Sequence, residues 1–221
     1  IGINERSYGQ GLAIGDYDND GHSDLYVSHL GSNTLFRNRG DGTFEGVGQG
    51  SGVAHEGFGT GTLFFDADAD GDLDLYVANY IEWNEGIERN CKSQSGILDY
   101  CHPDAYNAPA KDVLYRNNGD GTFTDVSEEA GIHSVWGNGL GVTVGDVNDD
   151  SFLDVFVAND EMNNQLWMNQ GDGTFIDDAL VSGVAVDANG EPKAGMGTDF
   201  ADVDNDGHLD LLVVNLVGQS D

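Results

Sequence analysis

The chain has 221 residues, 38% of them hydrophobic and 10% aromatic, enough to fold around a sizeable core. Forty acidic residues face eight basic ones, a formal charge of −32. That balance leaves no basic stripe to displace counterions from nucleic acid and no attraction to anionic lipid. No apolar run approaches the ~20 residues of a membrane span. The opening residues 1–6 do not read as a signal peptide, and with no initiator Met the chain reads as a mature or excised piece of a longer product.

The first element is a small-residue strand over Gly9–Gly15, followed by the acidic loop Asp16, Asp18, Asp20, Gly21, His22, Asp24 and an apolar strand, Leu25–Val27. The order recurs three times. Strands Gly59–Phe65, Gly139–Gly145 and Gly195–Ala201 lead into loops beginning at Asp66, Asp146 and Asp202, which lead into Leu75–Val77, Val155–Val157 and Leu211–Val213. Each loop therefore joins two antiparallel strands. A second signature follows in the first three copies: an apolar run starting at Leu35, Leu114 or Leu166, then Gly-Asp-Gly-Thr-Phe around Asp41, Asp120 or Asp172. Glycines that tolerate positive φ make this a tight hairpin between third and fourth strands, its Asp capping the turn's own backbone rather than holding metal.

Loop starts at 16, 66, 146 and 202 are 50, 80 and 56 residues apart, and the long spacing contains an insert at 81–110. A period near 50 suits a four-stranded propeller blade. The expected architecture is all-β: one propeller domain, or part of one, over 1–221, with blades at about 8–56, 57–135 and 136–193 and an incomplete one at 194–221. About three and a half blades are thus present, with no amphipathic helix of useful length.

Oxygen ligands at loop positions 1, 3, 5 and 9, a backbone carbonyl at 7 and glycine at 6 suit calcium, which takes 6–8 oxygens at about 2.3–2.6 Å. Magnesium demands a stricter octahedron, and no loop supplies the thiolate that would favour zinc or copper. The expected ligands are Asp16, Asp18, Asp20, His22 and Asp24; Asp66, Asp68, Asp70, Asp72 and Asp74; Asp146, Asn148, Asp150, Phe152 and Asp154; and Asp202, Asp204, Asp206, His208 and Asp210. About four Ca2+ ions follow. Asn148 lowers the charge of the third loop and Ser151 stands where glycine is wanted, so that loop is expected to bind most weakly. Cys91 and Cys101, ten residues apart in the insert, suit one local disulfide. A disulfide and modest-affinity calcium loops both point outside the cytosol, to an extracellular, cell-surface or periplasmic setting.

With these residues in view, the loop–strand–hairpin unit resembles the FG-GAP or VCBS repeat, the blade of the integrin alpha-subunit propeller. The stretch Leu114–Ser127, with Asp99, Tyr100 and Cys101 before it, most resembles the ASPIC and UnbV-type proteins related to cartilage acidic protein. The resemblance implies calcium on one face of each blade, and rings of about seven blades. A chain with fewer presents an open edge, expected after Val217, that another copy or further blades would cover.

The functional expectation is a non-enzymatic extracellular module in which calcium is structural, with protein or glycan partners at the cell exterior. A polysaccharide lyase or hydrolase is the enzymatic alternative, drawing on Tyr80, Glu82, Glu85, Tyr100, His102 and Tyr106. Glycan binding through the 80–110 aromatics Tyr80, Trp83, Tyr100 and Tyr106 is the third reading. His29 and His102 are the histidines singled out for a pocket, each otherwise expected at the surface, with His55 and His133 scattered.

Overall fold

The computed structural model describes residues 3, 7–93 and 95–216. It is a partial β-propeller built almost wholly of antiparallel strands. The first blade contains β1 (Tyr8–Gly15), β2 (Asp24–Ser32), β3 (Thr34–Asn38) and β4 (Phe44–Gly46), followed by the single-turn helix α1 (Gly48–Ser51). The second contains β5 (Glu56–Phe65) and β6 (Asp74–Asn79), then an insert carrying the two-residue strands β7 (Cys91–Lys92) and β8 (Leu98–Asp99), then β9 (Val113–Asn117) and β10 (Phe123–Asp125). β11 (Gly139–Gly145), β12 (Asp154–Asn159), β13 (Gln165–Asn169) and β14 (Phe175–Asp177) make the third, and β15 (Gly195–Ala201) with β16 (Asp210–Asn215) begins the fourth. Each acidic segment joins the first strand of its blade to the second, and each Gly-Asp-Gly joins third to fourth. The expectation about Val217 lies outside the described residues.

The Gly-x-Gly pairs of the first strands have a shared cause. Register shifts fall at Gly9/Gly11, Gly59/Thr62, Gly139/Gly141 and Gly195/Gly197, a bulge repeated in every blade. The bulge brings successive first strands close together. A Cβ on Gly61 would lie 2.8 Å from the Leu140 carbonyl oxygen, and one on Gly11 or Gly141 would collide with the carbonyl of Thr60 or Met196. Side-chain hydroxyls stitch the same contact: Ser28 Oγ donates to Thr60 O at 2.6 Å, and Thr60 Oγ1 to Gly139 O at 2.6 Å.

The core lies between blades. Tyr26, Leu35, Leu75, Val77, Tyr115 and Phe123 fill the space between the first two. Tyr76, Leu114, Ile132, Val155, Trp167 and Phe175 fill the next, and Phe156 and Leu166 pack towards Phe200 and Leu211. Every residue of β6 and β12 is therefore buried, whereas β16 alternates between exposed and half-buried.

One histidine is not where its sequence neighbourhood suggested. β2 runs on to Ser32, so His29 lies inside the strand and is fully buried, not at the surface. The strand extends because Leu30, Gly31 and Ser32 pair with Phe58, Gly57 and Glu56 of the next blade.

Candidate metal centres

Each loop closes on itself through its own carboxylates. In the first, Asp16 Oδ1 and Oδ2 accept the Asp20 and Gly21 N–H groups at 3.0 and 2.8 Å. Asp20 Oδ1 accepts the His22 N–H at 3.0 Å, and Asp24 Oδ2 that of Tyr17 at 3.2 Å. The same bonds recur at Asp66, Asp70 and Asp74, at Asp146, Asp150 and Asp154, and at Asp202, Asp206 and Asp210. Two tight turns per loop make this possible. Position 6 has φ of 87°, 93°, 75° and 94° at Gly21, Gly71, Ser151 and Gly207. Position 4 is also left-handed, at Asn19, Ala69, Asp149 and Asn205, which the residue pattern did not disclose because only glycine marks such a turn plainly.

The arrangement fits a hard cation. Ligand atoms of Asp16, Asp18 and Asp24 lie within 4.8 Å of one another, as do those of Asp66, Asp68 and Asp70, and of Asp202, Asp204 and Asp206. Asp18 Oδ1 is buried without a hydrogen-bond partner, an oxygen left for such an ion. Burial pushes the Asp24 carboxyl up to about 6 and that of Asp74 up to about 7, and raises Asp68 and Asp154. These carboxylates call for a positive charge. Arg37 supplies part of it in the first loop, its Nε 2.7 Å from Asp18 and its NH2 group 3.4 Å from Asp20. In the third loop Asn148 Nδ2 donates to Asp150 Oδ2 at 2.8 Å, so Asn148 offers less to a cation than the Asp of the other copies.

The hairpin aspartates behave as caps. Asp41, Asp120 and Asp172 each accept the N–H and hydroxyl of the Thr two residues on, at 2.9 and 2.6, 3.0 and 2.5, and 3.1 and 2.6 Å. The hydroxyl bond is the main reason these carboxyls titrate below their usual range.

At the opposite end of the blades, a disulfide joins Cys91 to Cys101 with Cα atoms 5.1 Å apart and holds the insert. Its neighbour His102 is exposed, with Nε2 2.6 Å from Glu161 of the third blade and Nδ1 3.9 Å from Asp104. Tyr80 Oη donates to Asp160 at 2.7 Å, and Trp83 Nε1 to Glu88 at 2.7 Å. Tyr100 is 98% exposed. Asp104, Asp160 and Glu161 were not among the residues singled out from the sequence, since nothing local links them to the insert.

The model of the FG-GAP-like repeat matches residues 16–77, 101–157 and 146–213. The chain belongs to the FG-GAP-like repeat family. Cartilage acidic protein 1 of Homo sapiens is 32% identical over 143 residues, 65% of this chain and 18% of that protein. The Mus musculus protein of the same name is 38% identical over 94 residues, 42% of this chain and 14% of that one. This FG-GAP-repeat chain thus spans less than a fifth of the length of these relatives. An Agrocybe aegerita structure, solved to explain recognition of non-reducing terminal N-acetylglucosamine, aligns over 94% of this chain and 47% of that one, at 18% identity and a TM-score of 0.49. Among the described residues no helix is long and apolar enough to cross a membrane.

Proposed function

We propose that this FG-GAP-repeat chain is a calcium-stabilised extracellular module for adhesion, protein interaction or assembly, and that it is not an enzyme. The observation that carries the reading is the fourfold recurrence of one hydrogen-bonded loop geometry, with three carboxylates converging in the first, second and fourth copies. Asp16, Asp18, Asp20 and Asp24 and their counterparts would hold the ions, with backbone carbonyls of His22, Asp72, Phe152 and His208 completing the shells. Bound calcium supplies positive charge to carboxylates that the fold crowds together, and the blades then keep the two strands of each loop in register. Binding to the native state alone adds RT ln(1 + [Ca]/Kd) per site, about 2.7 kcal/mol at a hundredfold excess over Kd. The disulfide and the relation to cartilage acidic protein 1 support an extracellular setting.

Thermal melting tests the reading. In millimolar calcium, Asp70→Ala and Asp206→Ala are expected to melt lower than the unaltered chain, by more than Asn148→Ala does. A melting temperature unmoved by chelation in the unaltered chain would refute it.

The exposed ring of Tyr100 favours a secondary role in glycan binding through the insert. Glycan-array signal lost on Tyr100→Ala, with calcium binding intact, would establish it; the lyase or hydrolase alternative instead requires new reducing ends or unsaturated products from sugar polymers.

A further inference from the structure

We infer that Asn117 and Asn169 couple calcium binding between neighbouring blades, so that filling one loop raises the affinity of the next. The inference rests on the calcium reading above. Asn117 ends the third strand of the second blade and is buried between two loops. Its Nδ2 donates to Tyr17 O of the first loop at 2.8 Å and to Leu73 O of the second at 3.0 Å. Its own N–H donates to Asp74 Oδ1 at 2.8 Å, and its Oδ1 accepts the Gly119 N–H at 3.0 Å. Asn169 repeats the pattern one blade on: Nδ2 to Ala67 O at 2.7 Å and Leu153 O at 3.2 Å, N–H to Asp154 Oδ1 at 2.9 Å, and Oδ1 from Gly171 N–H at 3.0 Å.

Together with the bonds that Tyr17 and Ala67 make to Asp24 and Asp74, these form one line: Asp24, Tyr17, Asn117, Asp74, Ala67, Asn169, Asp154. It passes through the ninth-position carboxylate of three successive loops. Both amide hydrogens and the side-chain oxygen of each Asn are used, so neither residue can shift without breaking buried hydrogen bonds. An ion that settles one loop fixes the carbonyl at its second position, which fixes the Asn, which holds the next ninth carboxylate in place. The following ion then has less ordering to do. Repulsion between ions is moderated because a filled loop stays net negative, with four ligand carboxylates in loops one and two and three in loop three.

The first junction carries a further tie, Asn19 Nδ2 to Asp72 Oδ1 at 2.6 Å, whereas the second has Ala69 at the position of Asn19. Among the described residues, the Asn169 side chain therefore carries the hydrogen bonds of the loop 2–loop 3 junction, beside the apolar packing of Ala67 and Leu153 in one cluster. Loop four touches loop three through the exposed His208–Asp149 contact at 3.3 Å and is the internal control.

The test is a calcium titration of the 15N-labelled chain, in which the Gly21, Gly71, Ser151 and Gly207 amides each report their own loop. Asp68→Asn, made throughout together with Asp70→Asn so that loop two is disabled, is expected to weaken loops one and three by about fivefold or more and to leave loop four unchanged. With Asn169→Ala, loop three becomes indifferent to Asp68→Asn while loop one still responds. Reciprocity requires Asp150→Asn to weaken loop two by the factor that Asp68→Asn imposes on loop three. A merely structural Asn169 would lower every affinity and leave the sensitivity to Asp68→Asn in place, which overturns the inference. Should Asn169→Ala not fold, Asn169→Asp keeps the shape and removes both donors. Indifference of loop three to Asp68→Asn in the otherwise unaltered chain overturns it without any Asn variant. Loops that fill independently sink the coupling alone, whereas amides that never move at millimolar calcium sink the calcium reading as well.

Discussion

Ser151 holds φ at 75°, a conformation that glycine adopts freely and a residue with a Cβ does not. Ser151→Gly is therefore expected to stabilise the chain by up to about 1 kcal/mol, seen as a higher denaturant midpoint at fixed calcium. Asp112 makes a different residue-scale prediction. It is buried, accepts Tyr76 Oη at 2.8 Å and the Asn79 N–H at 2.8 Å, and burial pushes its carboxyl up to about 7 from 3.8. A carboxyl whose folded pKa exceeds its unfolded one keeps its proton longer in the native state. The stability this contributes is present below about 4 and is lost as pH rises through about 7. Asp112→Asn removes the titration and keeps an acceptor, so stability of the variant relative to the unaltered chain should rise between pH 5 and 8, measured by urea unfolding at several pH values.

At the scale of the element, the first strand of each blade is defined by what it must not carry. Gly61 faces the Leu140 carbonyl oxygen across a blade junction, where Gly61→Ala would overpack and cost about 1–3 kcal/mol. Gly197 holds the same place in β15, yet no described atom lies within 4 Å of where its Cβ would be. Gly197→Ala should thus leave the melting temperature of this chain nearly unchanged while Gly61→Ala lowers it by several degrees. The insert is a second kind of element. β7 and β8 pair over only two residues each, so the Cys91–Cys101 bond does much to hold them. Reduction is expected to expose the insert to protease near Ile97 and Leu98 without changing calcium uptake, since the loops lie at the other end of the blades.

For the whole molecule the governing quantity is charge. At −32, or about −24 were the four proposed calcium ions bound, the folded chain works against self-repulsion. Chelated protein should regain part of its lost melting temperature in molar NaCl, because screening acts on repulsion between loops, but not all of it, because salt cannot replace a cation among buried carboxylates. Full recovery would mean that calcium acts only as a screen. Exposed apolar residues on the two outermost blades, Leu12 and Ile14 on β1 and Leu212 and Val214 on β16, show where the packing between blades runs out.

What the residues determined by themselves was local and periodic. The acidic loops, the Gly-Asp-Gly hairpins and the strands between them were legible because each depends on residues within a few positions, and because four copies in register make the pattern unmistakable. The disulfide was legible from two cysteines in one short insert. Tertiary structure alone decided what crosses between blades. His29 is buried by a strand extension that needs Phe58 from the next blade, and His102 meets Glu161 from the third. Asn117 reads as an ordinary strand-end residue until Tyr17, 100 positions earlier, is folded against it. Such contacts leave no spacing in the sequence, because the residues that make them are chosen by the packing of one blade on another.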